Sequence, residues 1–436
     1  MAQPLEKVPG KAWVVTFAGT AINLCLGILY AWSVWTKSLI NVDLAGQPLP
    51  APNEGWTYLT NAEAATPFSL CVVIFALLMI PGGRIQDKFG PKVGATVGGL
   101  FLAAGCIISG LAKSYGGLIF GFGILGGIGM GIGYAAPTPA ALRWFGPHKR
   151  GLIAGLVVGG YGGAALYISP LARYLIDAYG LTGSFVILGI FFAVVVIIAG
   201  QLLAWPPAGY VPPAAKPASP TKEMTGAPVK TAVTAIDWVA QDMVKTWQFY
   251  ALVFMFILTT QSGLLIIANA AKILAVAAKD VPFLVANAWI LVSFGGLVNA
   301  FGRVGTGMYS DKIGRTNAYT LNCAVSALCL FLLPSIIASG NVFVLFLAVG
   351  IAYWQYGGGL ALMPSFTADF FGPKNLGFNY GLVFIGWGLG FFMARLGGTI
   401  QDVTGSMNYA FYISGVLLIV GVLLARATKR PMALNE

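Results

Sequence analysis

The chain has 436 residues, 58% of them hydrophobic and only 9% charged, with a net charge of +11 at pH 7. A soluble domain carries about a quarter charged residues, so a water-soluble globular protein is excluded. Apolar runs of roughly 20 residues read as bilayer-spanning helices, and the short alternating segments of a β-barrel are not visible.

Twelve spans follow in chain order, at roughly 13–38, 62–82, 93–112, 116–141, 151–176, 182–204, 248–271, 282–308, 316–338, 341–366, 377–399 and 405–426. The first is too long for a signal-peptide core and no small-residue cleavage site follows it, so it reads as a retained span. With the N-terminus inside, eighteen of the 25 lysines and arginines fall on the cytoplasmic side and six on the other. This asymmetry places both termini in the cytoplasm of an inner-membrane protein, and it accounts for the positive charge without nucleic acid.

The connection at about 41–61 contains Asp43, Glu54 and several prolines. It is expected outside, as a cap over the entrance. The second span closes with GRIQDKFGPK, from Gly83 to Lys92, and the eighth with GMYSDKIGR, from Gly307 to Arg315. Both carry G-x-x-x-D-K-x-G. Gly90 and Gly314 suit a tight turn, and the basic residues suit lipid headgroups. Recurrence at the same place in both halves points to a gate latch rather than a static anchor, with Asp87, Lys88, Arg143, Asp311, Lys312 and Arg315 as the gating set.

In the fourth span Gly121, Gly123 and Gly126 satisfy the dinucleotide-loop pattern G-x-G-x-x-G. That chemistry needs a preceding strand and a helix start in water. Within an apolar span such glycines instead allow close helix packing. The segment 205–247 opens WPPAGYVPPAAKPASPTKE and suits a flexible cytoplasmic linker, with a surface helix near Asp237 to Trp247. The repeat extends further: RWFGPHKRGLIAGLVVGGYGG from Arg143 aligns with DFFGPKNLGFNYGLVFIGWGLG from Asp369. It pairs Phe145 with Phe371, Gly151 with Gly377, Gly155 with Gly381 and Tyr161 with Trp387. The expected fold is an all-α membrane protein of two pseudo-symmetric six-helix bundles, 1–204 and 248–436, related by an axis along the membrane normal.

Asn299 and Arg303 lie four apart on one face of the eighth span. Arg303 is roughly 12 Å above Asp311 at helical rise, deep enough to require a cavity or a partner. A guanidinium fork matches a carboxylate, so a small organic anion is the natural ligand. The cysteines Cys25, Cys71, Cys106, Cys323 and Cys329 all fall in spans and read as reduced packing residues. His148 stands in a basic loop without metal-ligand companions and reads as solvated. No buried nucleophile, metal cluster or acid/base pair is visible, so neither an enzyme nor a cofactor is expected.

The paired motifs, twelve spans and central linker resemble the major facilitator superfamily. LGILYAWSVW from Leu26, GIGYAAPTPAALRWFGPHKRGLIAG from Gly131 and NAFGRVGTGMYSDKIGR from Asn299 further resemble its oxalate/formate antiporter family, relatives of the monocarboxylate transporters. The resemblance implies alternating-access transport, with Arg303 on the substrate carboxylate. It implies that Leu29, Tyr30, Tyr134, Tyr356 and Leu360 line the site. Asn299 and Tyr134 are the candidate hydrogen-bond donors.

Two departures refine this. Oxalate exchangers of the family carry a lysine where this chain has Trp387, so one cation remains. That suits a monoanion such as lactate, pyruvate or formate. Animal monocarboxylate transporters carry an aspartate where this chain has Asn299, and no Asp or Glu lies near the middle of a span. A dedicated membrane carboxylate for proton relay is therefore absent from the sequence. Proton-coupled monocarboxylate transport is the favoured reading, with exchange of oxalate, formate or another organic anion as the alternative. A non-transporting sensor would need a signalling domain, for which 205–247 is too short. Arg395, further out on the eleventh span, reads as an interfacial anchor. The expected partners are a small organic anion, protons and the bilayer, and the chain is expected to be a monomer.

Overall fold

The computed structural model describes residues 8–145, 150–207, 209–210, 237–372 and 375–431. His148 and residues 211–236 of the linker lie outside them. The described residues are helical apart from turns and two isolated β-bridges, Ile40 with Leu59 and Pro48 with Thr57.

Ten helices among the described residues are long and apolar enough to cross a bilayer. Two further spans complete the twelve. Arg150–Leu202 runs 53 residues but is broken at Gly180, with φ 70° and ψ −179°, into the fifth and sixth spans. Unbroken, it would extend roughly 80 Å, far more than a bilayer. Trp289–Ile313 is 25 residues long, and its polar run through Asn299, Arg303 and Lys312 dilutes its hydropathy. This eighth span starts later than the sequence suggests. Pro282 opens a separate short helix, Pro282–Ala286, and Asn287 ends it.

Local chemistry sets the span ends. Thr60 and Glu63 form a reciprocal capping box at the start of the second span, Asn61–Phe89. The two motif loops turn identically: Gly90 has φ 88°, ψ 163° and Gly314 has φ 89°, ψ 151°. This backbone region is essentially restricted to glycine, which explains its place in both motifs. In the fourth span, Tyr115–Leu142, the glycine pattern falls in a π-helical stretch, Ile119–Gly126. A Cβ on Gly121 would come within 2.5 Å of the Gly105 carbonyl oxygen of the third span, so these glycines serve helix packing. The first span, Gly10–Leu39, tightens to a 3-10 turn at Gly27–Ala31.

The halves meet where the fifth span packs on the eighth, the second on the eleventh, and the first on the seventh, Trp247–Ala277. Both described ends of the linker are tied down. Tyr210 donates its hydroxyl to the Trp144 carbonyl at 2.9 Å. Trp238 donates its backbone N–H to the Phe371 carbonyl at 2.9 Å, and its own carbonyl accepts from Asn375 and Asn379. The surface helix expected near here is a single turn, Ala240–Met243.

The long connection after the first span is fastened to the end of the N-terminal half opposite the motif loops. Asn53 Oδ1 accepts the Leu181 N–H at 2.7 Å, capping the sixth span just after its Gly180 break, and Trp56 Nε1 donates to Thr182 Oγ1 at 3.0 Å. Four cysteines are buried and Cys329 is half-buried, all as free thiols.

Candidate functional site

Near the centre of the bundle a cavity of about 10 Å³, the room of about one water molecule, lies between the halves. The N-terminal half contributes Tyr30, Phe75, Tyr134 and Tyr161, and the C-terminal half Arg303, Leu360, Phe384 and Trp387. The 3-10 turn in the first span aims Tyr30 at this point. Gly27 permits it, because a Cβ there would lie 2.5 Å from the Tyr161 carbonyl oxygen of the fifth span.

Arg303 is 8% exposed and supplies the cavity's cation. Its Nε donates to Asn299 Oδ1 at 3.3 Å, one helical turn earlier, and its Nη2 donates to the Tyr30 hydroxyl across the half interface at 3.2 Å. The Tyr134 hydroxyl lies against the same guanidinium. These contacts hold the fork in place and leave N–H groups for a carboxylate. Asn299 Nδ2 is buried without a hydrogen-bond partner.

The polar chain continues away from Arg303. The Tyr30 and Tyr356 hydroxyls lie 3.0 Å apart, and Trp387 Nε1 donates to Tyr356 at 2.8 Å. Arg303 and Trp387 both donate into this tyrosine pair. One tyrosine must donate to the other, so one hydroxyl proton is left over. Around this line the rings form a continuous cage: Phe75 meets Trp387 edge-on at 4.8 Å and Tyr134 at 5.4 Å, and Tyr161 meets Tyr134 at 5.2 Å. The arrangement offers one fixed positive charge, a spare donor and apolar walls. That is suited to a small anion with one carboxylate.

Of the residues singled out from sequence, Arg303, Tyr30, Tyr134, Leu360 and Trp387 line the cavity. Tyr356 and Asn299 stand directly behind, bonded to lining residues. Leu29 is fully buried next to Tyr30 and is not in the lining. Arg395 is half-buried, bonded to Thr399 at 3.0 Å and away from the cavity. Phe75, Tyr161 and Phe384 were not singled out. A signal existed for two of them: Tyr161 is the repeat partner of Trp387. Phe75 precedes Gly83 by the spacing that separates Asn299 from Gly307.

At the motif end, the side chains of Asp87 and Asp311 lie outside the described set. Arg315 sits 3.5 Å from the Asp369 carboxylate at the end of the tenth span, Val342–Phe371. The Arg143 guanidinium covers the Trp205 ring at 4.4 Å and that of Arg84 faces Phe378 of the other half at 5.6 Å. Lys88 lies over Phe89 at 5.2 Å, and Lys312 is exposed.

Two helical halves around a central charged cavity define a membrane transporter. The profile of the Major Facilitator Superfamily matches residues 12–356, and the chain belongs to that superfamily. It is similar to the oxalate:formate antiporter of Oxalobacter formigenes, with 30% identity over 95% of this chain and 91% of the relative. It is 26% identical to apicoplast pyruvate carrier 1 of Toxoplasma gondii, over 84% and 79% of the two chains. It is 25% identical to monocarboxylate transporter 12-B of Danio rerio, over 79% and 74%. Among solved structures it shares its fold with a bacterial homologue of the human lysosomal transporter Spinster, inward-facing and unoccupied. The TM-score is 0.65 over 96% of this chain and 98% of that one, at 16% identity.

Proposed function

We propose that this chain moves a small monocarboxylate, of the lactate, pyruvate or formate type, across the membrane by alternating access. The observation that carries this reading is the cavity's single cation. Arg303 faces a cage of aromatic rings, and where a second cation would make room for a dianion stands Trp387, already bonded to Tyr356. The relatives named as carrying oxalate, formate, pyruvate and monocarboxylates support an organic anion as cargo.

Arg303 pairs with the carboxylate, and Tyr134 and the spare hydroxyl of the Tyr30–Tyr356 pair donate to it. Leu360 and Trp387 shape the walls, Tyr356 backs them, and Asn299 positions the guanidinium. The functional units are 1–204 and 248–436, joined by the linker 205–247, with both termini in the cytoplasm of an inner membrane. The motif loops gate the cytoplasmic end through Asp87, Lys88, Arg143, Asp311, Lys312 and Arg315. The chain acts as a monomer. Protons accompany the anion, bound through substrate and water because Asn299 supplies no titratable group.

Uptake of labelled lactate, pyruvate, formate and oxalate into proteoliposomes, with and without an inward proton gradient, tests this for wild type and Arg303→Ala. Gradient-driven accumulation of one monocarboxylate, lost in the variant, is the expected result. Uptake that requires internal anion and ignores the gradient makes the protein an exchanger. Normal transport by Arg303→Ala rejects the site.

A further inference from the structure

The end of the bundle opposite the motif loops carries a second cluster that joins the halves. Asp402, near the end of the eleventh span, places its carboxylate on the first turn of the second span. Its Oδ1 accepts from the Asn61 backbone N–H at 3.0 Å and from Asn61 Nδ2 at 2.6 Å, and its Oδ2 accepts from the Ala62 N–H at 2.8 Å. Lys272 of the seventh span donates to Asn61 Oδ1.

An accounting of the helix start shows why the contact is specific. The first N–H groups of a helix lack internal partners and carry the positive end of its dipole. Thr60 Oγ1 takes the Glu63 N–H at 3.1 Å. The Asn61 and Ala62 N–H groups, next in need of acceptors, are both served by a carboxylate from the other half of the protein. Charge-assisted bonds of this kind are the strong ones.

The backbone is shaped for this approach. Gly398 lies one turn before Asp402 on the same helix, and a Cβ there would come 2.8 Å from the Asn61 carbonyl oxygen and 3.1 Å from the Ala62 Cα. Lesser contacts close the same end: Lys37 donates to the Val285 carbonyl, and the Ala271 N–H to Ser33 Oγ at 3.4 Å.

We propose that Asp402, seated by Gly398 and flanked by Lys272, is the latch that holds this end shut, and that its release opens the central cavity to that side. The inference rests on the two halves rocking against each other and is independent of which anion is carried. The second span belongs to one half, while Asp402 and Lys272 belong to the other, so opening this end must break these bonds. The latch is the counterpart, on the far side of the cavity, of the motif loops.

The test uses the full chain in lipid nanodiscs without substrate. Spin labels at Glu54→Cys and Asp280→Cys, both exposed and on opposite halves at this end, report its opening. A second pair, Lys92→Cys and Asn317→Cys, reports the motif end, and the half-buried Cys329 is changed to Ala. Asp402→Asn, nearly isosteric, is expected to raise the wide-separation population at the outer pair about tenfold, the scale expected from losing a charge-assisted bond in one state only. Gly398→Ala, which leaves the carboxylate but wedges the helices apart, shifts it the same way. Lys272→Gln gives a smaller shift. Unchanged outer separations in both Asp402→Asn and Gly398→Ala overturn the proposal. So does a loss of thermal stability in Asp402→Asn with no change in separation, because the contact is then only a helix cap.

Discussion

The Trp387 indole donates to the Tyr356 hydroxyl at 2.8 Å, and the internal repeat places a weaker copy of this bond in the other half. The offset that aligns Tyr161 with Trp387 also aligns Met130 with Tyr356, and the Tyr161 hydroxyl donates to Met130 Sδ at 3.5 Å. The two halves thus present the same aromatic-to-neighbour brace around the cavity. In the C-terminal half the brace ends in an oxygen, which continues to Tyr30 and Arg303. In the N-terminal half it ends in a thioether, a poor acceptor with no proton to pass on. Polarity therefore concentrates on one wall of the cavity.

Trp387→Lys is the sharpest test of charge selection. It places an ammonium across the cavity from Arg303 and removes the indole donor to Tyr356. Competition by unlabelled oxalate should strengthen by about tenfold, the scale of one added ion pair in a partly desolvated site. Lactate or formate uptake should weaken in the same preparation. Equal inhibition by oxalate in both proteins would mean that Trp387 does not set the charge preference.

Arg303→Ala should lower uptake by about a hundredfold, since truncating a buried, hydrogen-bonded charge pair removes several kcal/mol. Arg303→Lys keeps the charge but loses the planar fork, so it should recover only part of the loss. Thermal stability should hold or rise in Arg303→Ala, because an unliganded buried cation is itself costly. A matching collapse of stability and transport would instead make Arg303 a structural residue.

Tyr30→Phe removes the hydroxyl shared by Arg303 and Tyr356. The apparent KM should rise by about tenfold with little change in folded yield, the scale of a hydrogen bond to a charged group. Tyr356→Phe should act on the same term, so the double variant should fall short of the sum by about 0.5–3 kcal/mol. Strict additivity would show that the two hydroxyls do not work as one unit.

The sequence carried the fold further than it carried the site, and the reason is physical. Span number and the twofold repeat are encoded in hydropathy and in glycine-marked turns, both local signals. Arg303 was legible because a deep charge stands out against an apolar background. The aromatic cage was less so: Phe75 and Phe384 look like any apolar residue in a span, and only their placement across the interface makes them lining. Leu29 shows the converse. It sits beside Tyr30 in sequence, yet the 3-10 turn directs only Tyr30 to the cavity. The Asp402 contact was illegible because it joins residues from opposite halves without any motif.

The motif glycines allow a prediction about stability alone. Gly90→Ala and Gly314→Ala each force a side chain into a backbone region that L-residues avoid, at a cost of about 1–3 kcal/mol. Space is not the obstacle, since nothing lies within 4 Å of a Cβ at either position. Gly307 is the internal control, helical, equally open and in the same motif. Gly307→Ala should leave thermal stability unchanged or slightly raised by helix propensity. Thermal unfolding in detergent should therefore rank Gly307→Ala at or above wild type, with both turn variants below it. Equal stability of Gly314→Ala and Gly307→Ala would show that the turn relaxes to accept a side chain.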